Sequence, residues 1–231
     1  MRTGGTMWLH KQSVTDIVAV AFKPQYLACA HIKKTGDKIP YSMVSFKQIA
    51  LDDLELEKQI VFNPTKIGKL LHSLLHEQSL CNADIRLCLS GPAVFEALTC
   101  CTDQSIEQIF GTKLKNLIWE DLAIFQNSQL QPITYVCGIS RELLFQYQLL
   151  AIKHKLNFTC ITTSNAALLS SCHALSKDIT NQDCTSIHDI GSLIPIQLIG
   201  RLCTHIPPTD NPLLMAELIG LCLSELTYEN N

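Results

Sequence analysis

The sequence predicts an α/β fold in which helices pack on a mixed β-sheet, and three observations carry that prediction. Two strand-like runs, 17–22, which is rich in β-branched residues, and 26–32, flank Lys23-Pro24-Gln25, which is typical of a hairpin. Asn63-Pro64 opens a helix with an apolar stripe. Further along the chain, short strand-like runs alternate with helical patterns, which favours a sheet covered by helices.

The first strands and the first helix follow in order. The two hairpin strands and a third strand at 41–49 are expected to form an antiparallel meander, and 51–57 is a polar connector. Asn63 is a good N-cap, and Pro64 suits the first helical position. The face from Ile67 to Leu75 recurs at helical spacing and should pack on the sheet.

The later elements are shorter, and their ends are marked by Gly, Pro and small polar residues. Ser140 and Ser164 are expected to cap helices, and Asn211-Pro212 to start the last one. The helix after Ser140 should pack on the sheet through the face that carries Leu143, Tyr147 and Leu150. Strands are expected at 83–89, 94–99, 117–125, 133–137 and 158–161, and helices at 103–110, 141–154, 164–175 and 212–222.

Composition excludes several classes of protein. A chain of 231 residues makes one large domain or two small ones, and 47% apolar with 17% charged residues rules out a disordered chain. The net charge of −3 argues against a nucleic-acid binder that relies on a basic face. The sequence contains no apolar run of the roughly 18 residues that a membrane span needs, and residues 1–11 lack the apolar segment of a signal peptide. We therefore expect a soluble protein.

The eleven cysteines do not form a recognisable framework. Their number is odd, no CxxC occurs, and many lie in apolar runs, as Cys29, Cys88, Cys137 and Cys222 do. Structural zinc sites use closely paired ligands, whereas a buried free cysteine behaves as a small apolar residue. We expect all of them to be reduced thiols in a cytosolic compartment, with no disulfide and no bound metal.

His72 and His76 stand four residues apart on a predicted helix, a spacing that can bind a metal. Zinc-protease patterns of this kind place a glutamate between the two histidines, and here the interval is Ser73-Leu74-Leu75. At about 100° per residue both rings lie opposite the leucine stripe, beside Lys69. We interpret them as part of a solvated helix face and expect His72, His76 and Lys69 to be exposed.

The other candidates for chemistry lack supporting neighbours. Ser90 and Ser140 are not in a GxSxG nucleophile elbow, and a serine between a strand and a helix is most often an N-cap. Cys100-Cys101 has no basic neighbour to activate a thiol. Asp189-Ile190-Gly191 resembles a fragment of a phosphate-binding turn, but neither GxxxxGK[ST] nor GxGxxG occurs. The sequence predicts no catalytic residue, no cofactor-binding residue and no metal ligand.

Several segments of the chain follow one another in a recognisable order. They are the strand pair 17–32, the helix after Asn63-Pro64, and the stretches 85–92, 135–144, 161–163 and 214–221. In this order they resemble the actin-like PilM family of type IV pilus assembly proteins and the related cytoplasmic L component of type II secretion. The likeness covers about residues 13–175 and 211–226. It implies an α/β fold (α+β mixed sheet) that is a partial actin-like (ribonuclease H-like) half-fold, with the second half largely missing.

The resemblance also implies a division of the chain. Residues 1–12 would be an N-terminal extension, and residues 13–175 the actin-like first half with a small subdomain inserted at about 93–130. Residues 176–231 would be a truncated remnant of the second half that ends in a C-terminal helix. Nucleotide in this fold lies between the two halves, so little of the second wall would remain.

One departure from the family pattern sets the expected function. Actin-like ATPases carry Asp-x-Gly and hydroxyl residues in the first hairpin turn, where backbone amides hold phosphate. Here the turn is Lys23-Pro24-Gln25; it has no glycine, Pro24 has no N–H to donate, and Lys23 would supply only a mobile point charge. We therefore expect a protein that is not an enzyme and uses no cofactor.

The resemblance then implies a cytoplasmic scaffold of a type IV pilus, competence or type II secretion assembly at the inner membrane. It would dock the cytoplasmic N-terminal tail of a single-span membrane partner and be peripheral at the membrane through that partner. It would bind no nucleic acid and have no direct membrane insertion. Two alternatives stay open: a nucleotide-binding actin-fold ATPase with atypical phosphate loops, and an unrelated α/β domain.

Overall fold

The computed structural model describes most of the chain from Asp16 to Leu223. The described residues are 16–23, 25–35, 39–51, 64–90, 94–99, 108–109, 111, 116–126, 132–175, 190–191, 194 and 196–223. The predicted N-cap Asn63, most of the predicted helix at 103–110 and the predicted extension at 1–12 lie outside them.

The described residues form nine strands, four α-helices and one 3-10 helix, and most predicted elements are found within a few residues of their expected bounds. The strands are β1 (Asp16–Lys23), β2 (Tyr26–Lys34), β3 (Tyr41–Ala50), β4 (Asp84–Leu89), β5 (Val94–Thr99), β6 (Leu117–Gln126), β7 (Pro132–Ser140), β8 (Phe158–Thr163) and β9 (Cys203–Thr204). The helices are α1 (Pro64–Glu77), α2 (Arg141–His154), α3 (Ser164–Leu175) and α4 (Pro212–Leu223), and the 3-10 helix is Ile196–Arg201.

The larger sheet has six strands in the order β8-β4-β1-β2-β3-β9. The hairpin β1–β2 and the pair β2–β3 are antiparallel, which confirms the predicted meander. The neighbours β1–β4, β4–β8 and β3–β9 are parallel. The sheet is therefore mixed, as the sequence predicts.

Both faces of this sheet are buried, and β1 shows how the sequence divides between them. Ile17, Ala19 and Ala21 face a core that includes α3 and α4, whereas Val18, Val20 and Phe22 face a second core that includes α1 and α2. Side chains alternate between faces along a strand, so a continuous apolar run is what a doubly covered strand requires. The predicted packing of α1 and α2 on the sheet is confirmed.

Helix α4 lies very close to α3 on the first of these faces. A Cβ atom built on Gly220 would lie 1.8 Å from the carbonyl oxygen of Ala167, so only glycine fits there. Ser171 Oγ donates to the carbonyl oxygen of Ala216 at 2.6 Å. Small residues on both helices allow the two backbones to approach, which gives α4 a position that larger side chains would not permit.

The C-terminal turn of α4 is held by side chains from the early strands. Arg86 of β4 donates to the carbonyl oxygens of Leu221 and Cys222 at 3.0 and 2.8 Å, and Tyr41 of β3 donates to that of Cys222 at 3.0 Å. The last carbonyls of a helix lack partners within the helix and carry partial negative charge, so a guanidinium stabilises them. This contact fastens α4 to the sheet.

The helix starts agree with the sequence in two of three cases. Ser140 Oγ accepts a hydrogen bond from Leu143 N, and Asn211 Oδ1 accepts one from Leu214 N, which confirms both as N-caps. The prediction for α3 is wrong by one residue, because Thr163 Oγ1 accepts the bond from Ala166 N. Ser164 lies inside the helix, and its hydroxyl is available for another contact.

The second sheet has three antiparallel strands in the order β5-β7-β6. Its small apolar cluster is built on Leu117 and Val136. Strand β7 runs on through Gly138 to Ser140, beyond the predicted end at Cys137, and leads directly into α2. The predicted subdomain boundary at about 93–130 stays a prediction. Among the described helices, none is long and apolar enough to span a membrane.

Candidate functional site

The carboxyl ends of β1, β4 and β8 meet at one edge of the six-stranded sheet, beside α4. The three strands are parallel neighbours, so their carboxyl ends lie together. In open α/β sheets, ligands bind in the crevice outside the carboxyl ends of the strands. This edge is therefore the first place to look for a site, and it holds Lys23 at the end of β1, Cys88 on β4 and Ser164 just after β8.

Lys23 and Glu217 form an ion pair at this edge. Lys23 Nζ donates to Glu217 Oε2 at 2.7 Å and to Oε1 at 2.8 Å, and it lies 3.4 Å from Ser164 Oγ. The side chain of Lys23 is 20% exposed and that of Glu217 is 4% exposed. The prediction that Lys23 is a mobile point charge is therefore wrong, because a carboxylate from α4 holds it in place.

Cys88 is a third member of this group. Its thiol donates to Glu217 Oε1 at 2.8 Å. Burial and then the Glu217 charge raise the pKa of the Cys88 thiol well above its ordinary value, so it stays protonated and is a poor nucleophile. Burial works to lower the pKa of Lys23, but the neighbouring groups, with the Glu217 carboxylate foremost, together outweigh burial and the pKa is raised.

Lys23 uses all of its hydrogen-bond donors within this group of side chains. The three hydrogens of the Lys23 ammonium point to two carboxylate oxygens and one hydroxyl, and a lysine has no further donor to offer. Glu217 adds a negative charge where a phosphate would have to approach. A phosphate could bind Lys23 only if the ion pair of Lys23 with Glu217 separated. Glu217 would then be a buried carboxylate without its cation, which costs free energy.

A second buried polar group joins the two sheets. The hydroxyl of Tyr135 on β7 contacts Glu96 of β5 and, at 2.6 Å, Thr163 Oγ1 at the end of β8. Asn165 of α3 donates to the other oxygen of Glu96 at 3.0 Å. Burial, and then the negative charge of Glu96, raise the pKa of Tyr135, which keeps the phenol neutral and able to donate. This group fixes the second sheet against the first.

The residues that the sequence singled out are spread over the fold. His72, His76 and Lys69 are exposed on α1, as predicted, and the two rings stack at 6.3 Å. No metal-ligand cluster of three His, Cys, Asp or Glu occurs among the described residues. Ser90 Oγ lies 3.5 Å from the carbonyl oxygen of Phe22, which ties the end of β4 to β1. Cys100, Cys101 and Asp189 lie outside the described residues.

Sequence reasoning missed Glu217, although the sequence contains a signal. It is the one acidic residue in Pro212–Leu223, and residues 214–222 are buried on all sides. A lone carboxylate in such a helix requires a cationic or hydrogen-bonding partner. The partner is 194 positions away in sequence, so local pattern could not identify it.

These features define the class of fold: a mixed α/β sheet with helices on both faces and a smaller second sheet. A chain of a PilM–PilN type IV pilus biogenesis complex is similar to this chain with a TM-score of 0.53 and 11% identity, over 71% of this chain and 52% of that one. This chain thus spans about half the length of that relative. At this identity the likeness establishes the fold alone.

Two further solved structures are similar at lower scores. The cytoplasmic domain of EpsL, an inner-membrane component of the type II secretion system of Vibrio cholerae, has a TM-score of 0.44 and 9% identity over 66% of this chain and 58% of that one. A Bacteroides thetaiotaomicron protein of unknown function with an actin-like ATPase fold has a TM-score of 0.39 and 11% identity, over 74% of this chain and 60% of that one. No family model and no curated protein matches the sequence.

Proposed function

We propose that this chain is a non-enzymatic cytoplasmic scaffold of a type IV pilus, competence or type II secretion assembly at the inner membrane. It docks the cytoplasmic N-terminal tail of a single-span membrane protein. The fold that it shares with a chain of the PilM–PilN complex supports the assembly role. The fold by itself is compatible with ATP hydrolysis, so the non-enzymatic part of the proposal depends on the site.

The observation that carries this part is the ion pair between Lys23 and Glu217. It occupies the edge of the sheet where a phosphate would bind, and it uses all the donors of Lys23. The neighbouring thiol, Cys88, is protonated and hydrogen-bonded to the same carboxylate. These groups stabilise one another, and none of them is positioned to polarise a phosphate or activate a water.

Calorimetry tests the proposal with two ligands on the same preparation. The first is ATP with magnesium, and the second is a synthetic peptide with the N-terminal tail of a single-span membrane protein encoded next to this chain. We expect no heat with ATP and a clear signal with the tail, with an affinity in the micromolar range because a disordered tail loses entropy on docking. Micromolar ATP binding with hydrolysis and no response to the tail would establish the nucleotide-binding ATPase instead.

A further inference from the structure

A cationic pocket lies between α1 and α2, on the side of the molecule away from α4. Its volume is about 440 Å³. None of the described residues that line it is acidic, although the whole chain has a net charge of −3. The lining residues are Lys69, His72, Ser73, Lys153, His154 and Lys155. The pocket thus concentrates three lysines and two histidines on a protein that is acidic overall.

Contacts between α1 and α2 keep these cationic residues close together. The ring of His154 lies on Gly68 of α1, where an added Cβ atom would be 2.1 Å from His154 Cδ2. Lys153 Nζ donates to Thr65 Oγ1 across the helix pair at 2.9 Å. Loss of hydration, and then the positive charges of Lys153, His72 and Lys69, lower the pKa of His154. The surroundings of this ring are therefore positive, which favours an anion in the pocket.

An apolar ridge runs along α2 beside the pocket. Phe145, Leu149 and Ile152 are 57%, 49% and 76% exposed. Their spacing of four and three residues places them in one stripe, opposite the buried face of the same helix. A cluster of three large apolar side chains on a protein surface marks an interaction site more often than isolated exposed apolar side chains do.

Neither of the acidic residues of the two helices is among the described residues that line the pocket. Glu142 is in the first turn of α2, one turn before Phe145 and at the opposite end of the helix from Lys153, and Arg141 stands beside it. Glu77 is the acidic residue of α1, and it pairs with Lys47 of β3 at 3.3 Å. The C-terminal half of α2 and the adjoining face of α1 therefore present apolar and cationic groups together.

We propose that this α1–α2 surface, defined by the ridge Phe145–Leu149–Ile152 and the cationic pocket, docks directly on an anionic phospholipid membrane. The ridge stands out from the helix rather than lining a groove, so it suits the acyl boundary of a bilayer better than the apolar face of a peptide. The lysines beside it are placed to contact lipid phosphates, one of which fits the pocket. Apolar burial and anionic attraction together are the two signals that peripheral binding needs.

This inference does not depend on the tail-docking proposal. The α1–α2 surface is on the opposite side of the six-stranded sheet from α4, and lipid binding is measured with no partner present. A chain that binds the tail but no vesicles contradicts only the lipid contact, whereas a chain that binds vesicles but no tail contradicts only the scaffold.

The test is co-sedimentation of the full chain with vesicles of phosphatidylcholine alone, or of equal parts phosphatidylcholine and phosphatidylglycerol. We expect binding to the anionic vesicles only, weakening as salt is added. The triple variant K69Q/K153Q/K155Q should bind about a hundredfold more weakly, at about fivefold for each lysine. The variant F145S/L149S/I152S should lose at least about tenfold. All six positions are exposed, and circular dichroism checks that the variants stay folded.

Matched controls come from strands β2 and β3, outside the α1–α2 surface. K33Q/K34Q removes two exposed lysines of β2, and V44S removes an exposed apolar side chain of β3. Both should bind like the wild type. Equal binding to the two kinds of vesicle, or wild-type binding by either triple variant, would overturn the proposal. So would tight binding of a poly-glutamate peptide or of inorganic phosphate by a chain that ignores vesicles, because the occupant would then be an acidic partner or a free anion.

Discussion

The ammonium of Lys23 and the carboxylate of Glu217 lie 2.7 Å apart, although 194 positions of sequence separate them. The pair joins the end of the first described strand to the middle of the last described helix. It also closes the edge of the sheet where this class of fold binds ligands. The same two side chains therefore contribute to stability and set the charge at that edge of the sheet.

Removing one member of this pair should be costly. Lys23→Met leaves Glu217 buried without its cation, and we expect the free energy of unfolding to fall by about 3 kcal/mol or more. The double variant K23M/E217M leaves no buried charge behind and should recover most of that loss. Urea denaturation of the three proteins measures both effects. A single variant as stable as the wild type would contradict the structural role of the pair.

The same pair predicts a pH dependence. The pKa of Lys23 is raised above 10.5 in the folded protein, so the contribution of the pair is fully present below that pH and is lost as the pH rises through the folded pKa. The difference in unfolding free energy between the wild type and Lys23→Met should stay constant from neutral pH to about pH 10 and shrink above it. A difference that already shrinks near neutral pH would mean that Lys23 is not held as described.

Gly220 should not tolerate a side chain. Gly220→Ala puts a methyl group against the Ala167 carbonyl oxygen, so α4 must move away from α3, and we expect a loss of about 3 kcal/mol. Gly200→Ala is the matched control, because an added Cβ atom there has nothing within 4 Å, and its effect should stay within about 0.5 kcal/mol. Thermal or urea unfolding compares them. Equal effects at the two glycines would contradict the close helix contact.

Two buried tyrosines should respond differently to loss of the hydroxyl. The Tyr147 hydroxyl is buried and has no hydrogen-bond partner among the described residues, so Tyr147→Phe should be neutral or stabilising. Tyr135→Phe removes a donor to Glu96 and a contact with Thr163, and should cost about 1–3 kcal/mol. Denaturation of both variants measures the difference. The reverse order would mean that the polar group between the sheets contributes nothing.

The cysteines should react in an order set by burial. None of the eight described cysteines is in a disulfide, and Cys81 is the exposed one among them. Burial raises the pKa of Cys29 to about 12 and that of Cys203 to about 11, which leaves almost no thiolate in the folded protein. Iodoacetamide at about pH 8 should label Cys81 first, and the other two only after unfolding. Mass spectrometry of the peptides gives the order; early labelling of Cys29 would contradict the buried sheet.

The sequence predicted those parts of the fold that depend on local pattern. The apolar runs of β1 and β2, the turn at Lys23-Pro24-Gln25 and the leucine stripe of α1 were sufficient for the meander and its first helix. The cap of α3 was misplaced because Thr163 and Ser164 are adjacent hydroxyl residues, and local pattern does not choose between them. Packing around the end of β8 decides which of the two hydroxyl residues caps the helix.

The candidate site was predicted less well than the fold. Lys23 was recognised, but its partner is on a distant helix, and only the three-dimensional arrangement brings Cys88 and Ser164 to the same carboxylate. The ridge of α2 is different, because its three residues can be read from helical spacing. What the sequence could not show is that neighbouring elements leave this stripe uncovered while covering the opposite one.

Helix α4, which Arg86 and Tyr41 hold against the sheet, is synthesised late, and this affects folding during translation. While a ribosome is still making the residues before 212, Ala19, Ala21 and their neighbours on β2 have no α4 to cover them. The nascent chain can form its local hairpin and helices, but that apolar face stays open until one of the last described segments emerges. Translation stalled before this point would release a chain with an exposed apolar sheet face, which we expect a chaperone or a protease to recognise.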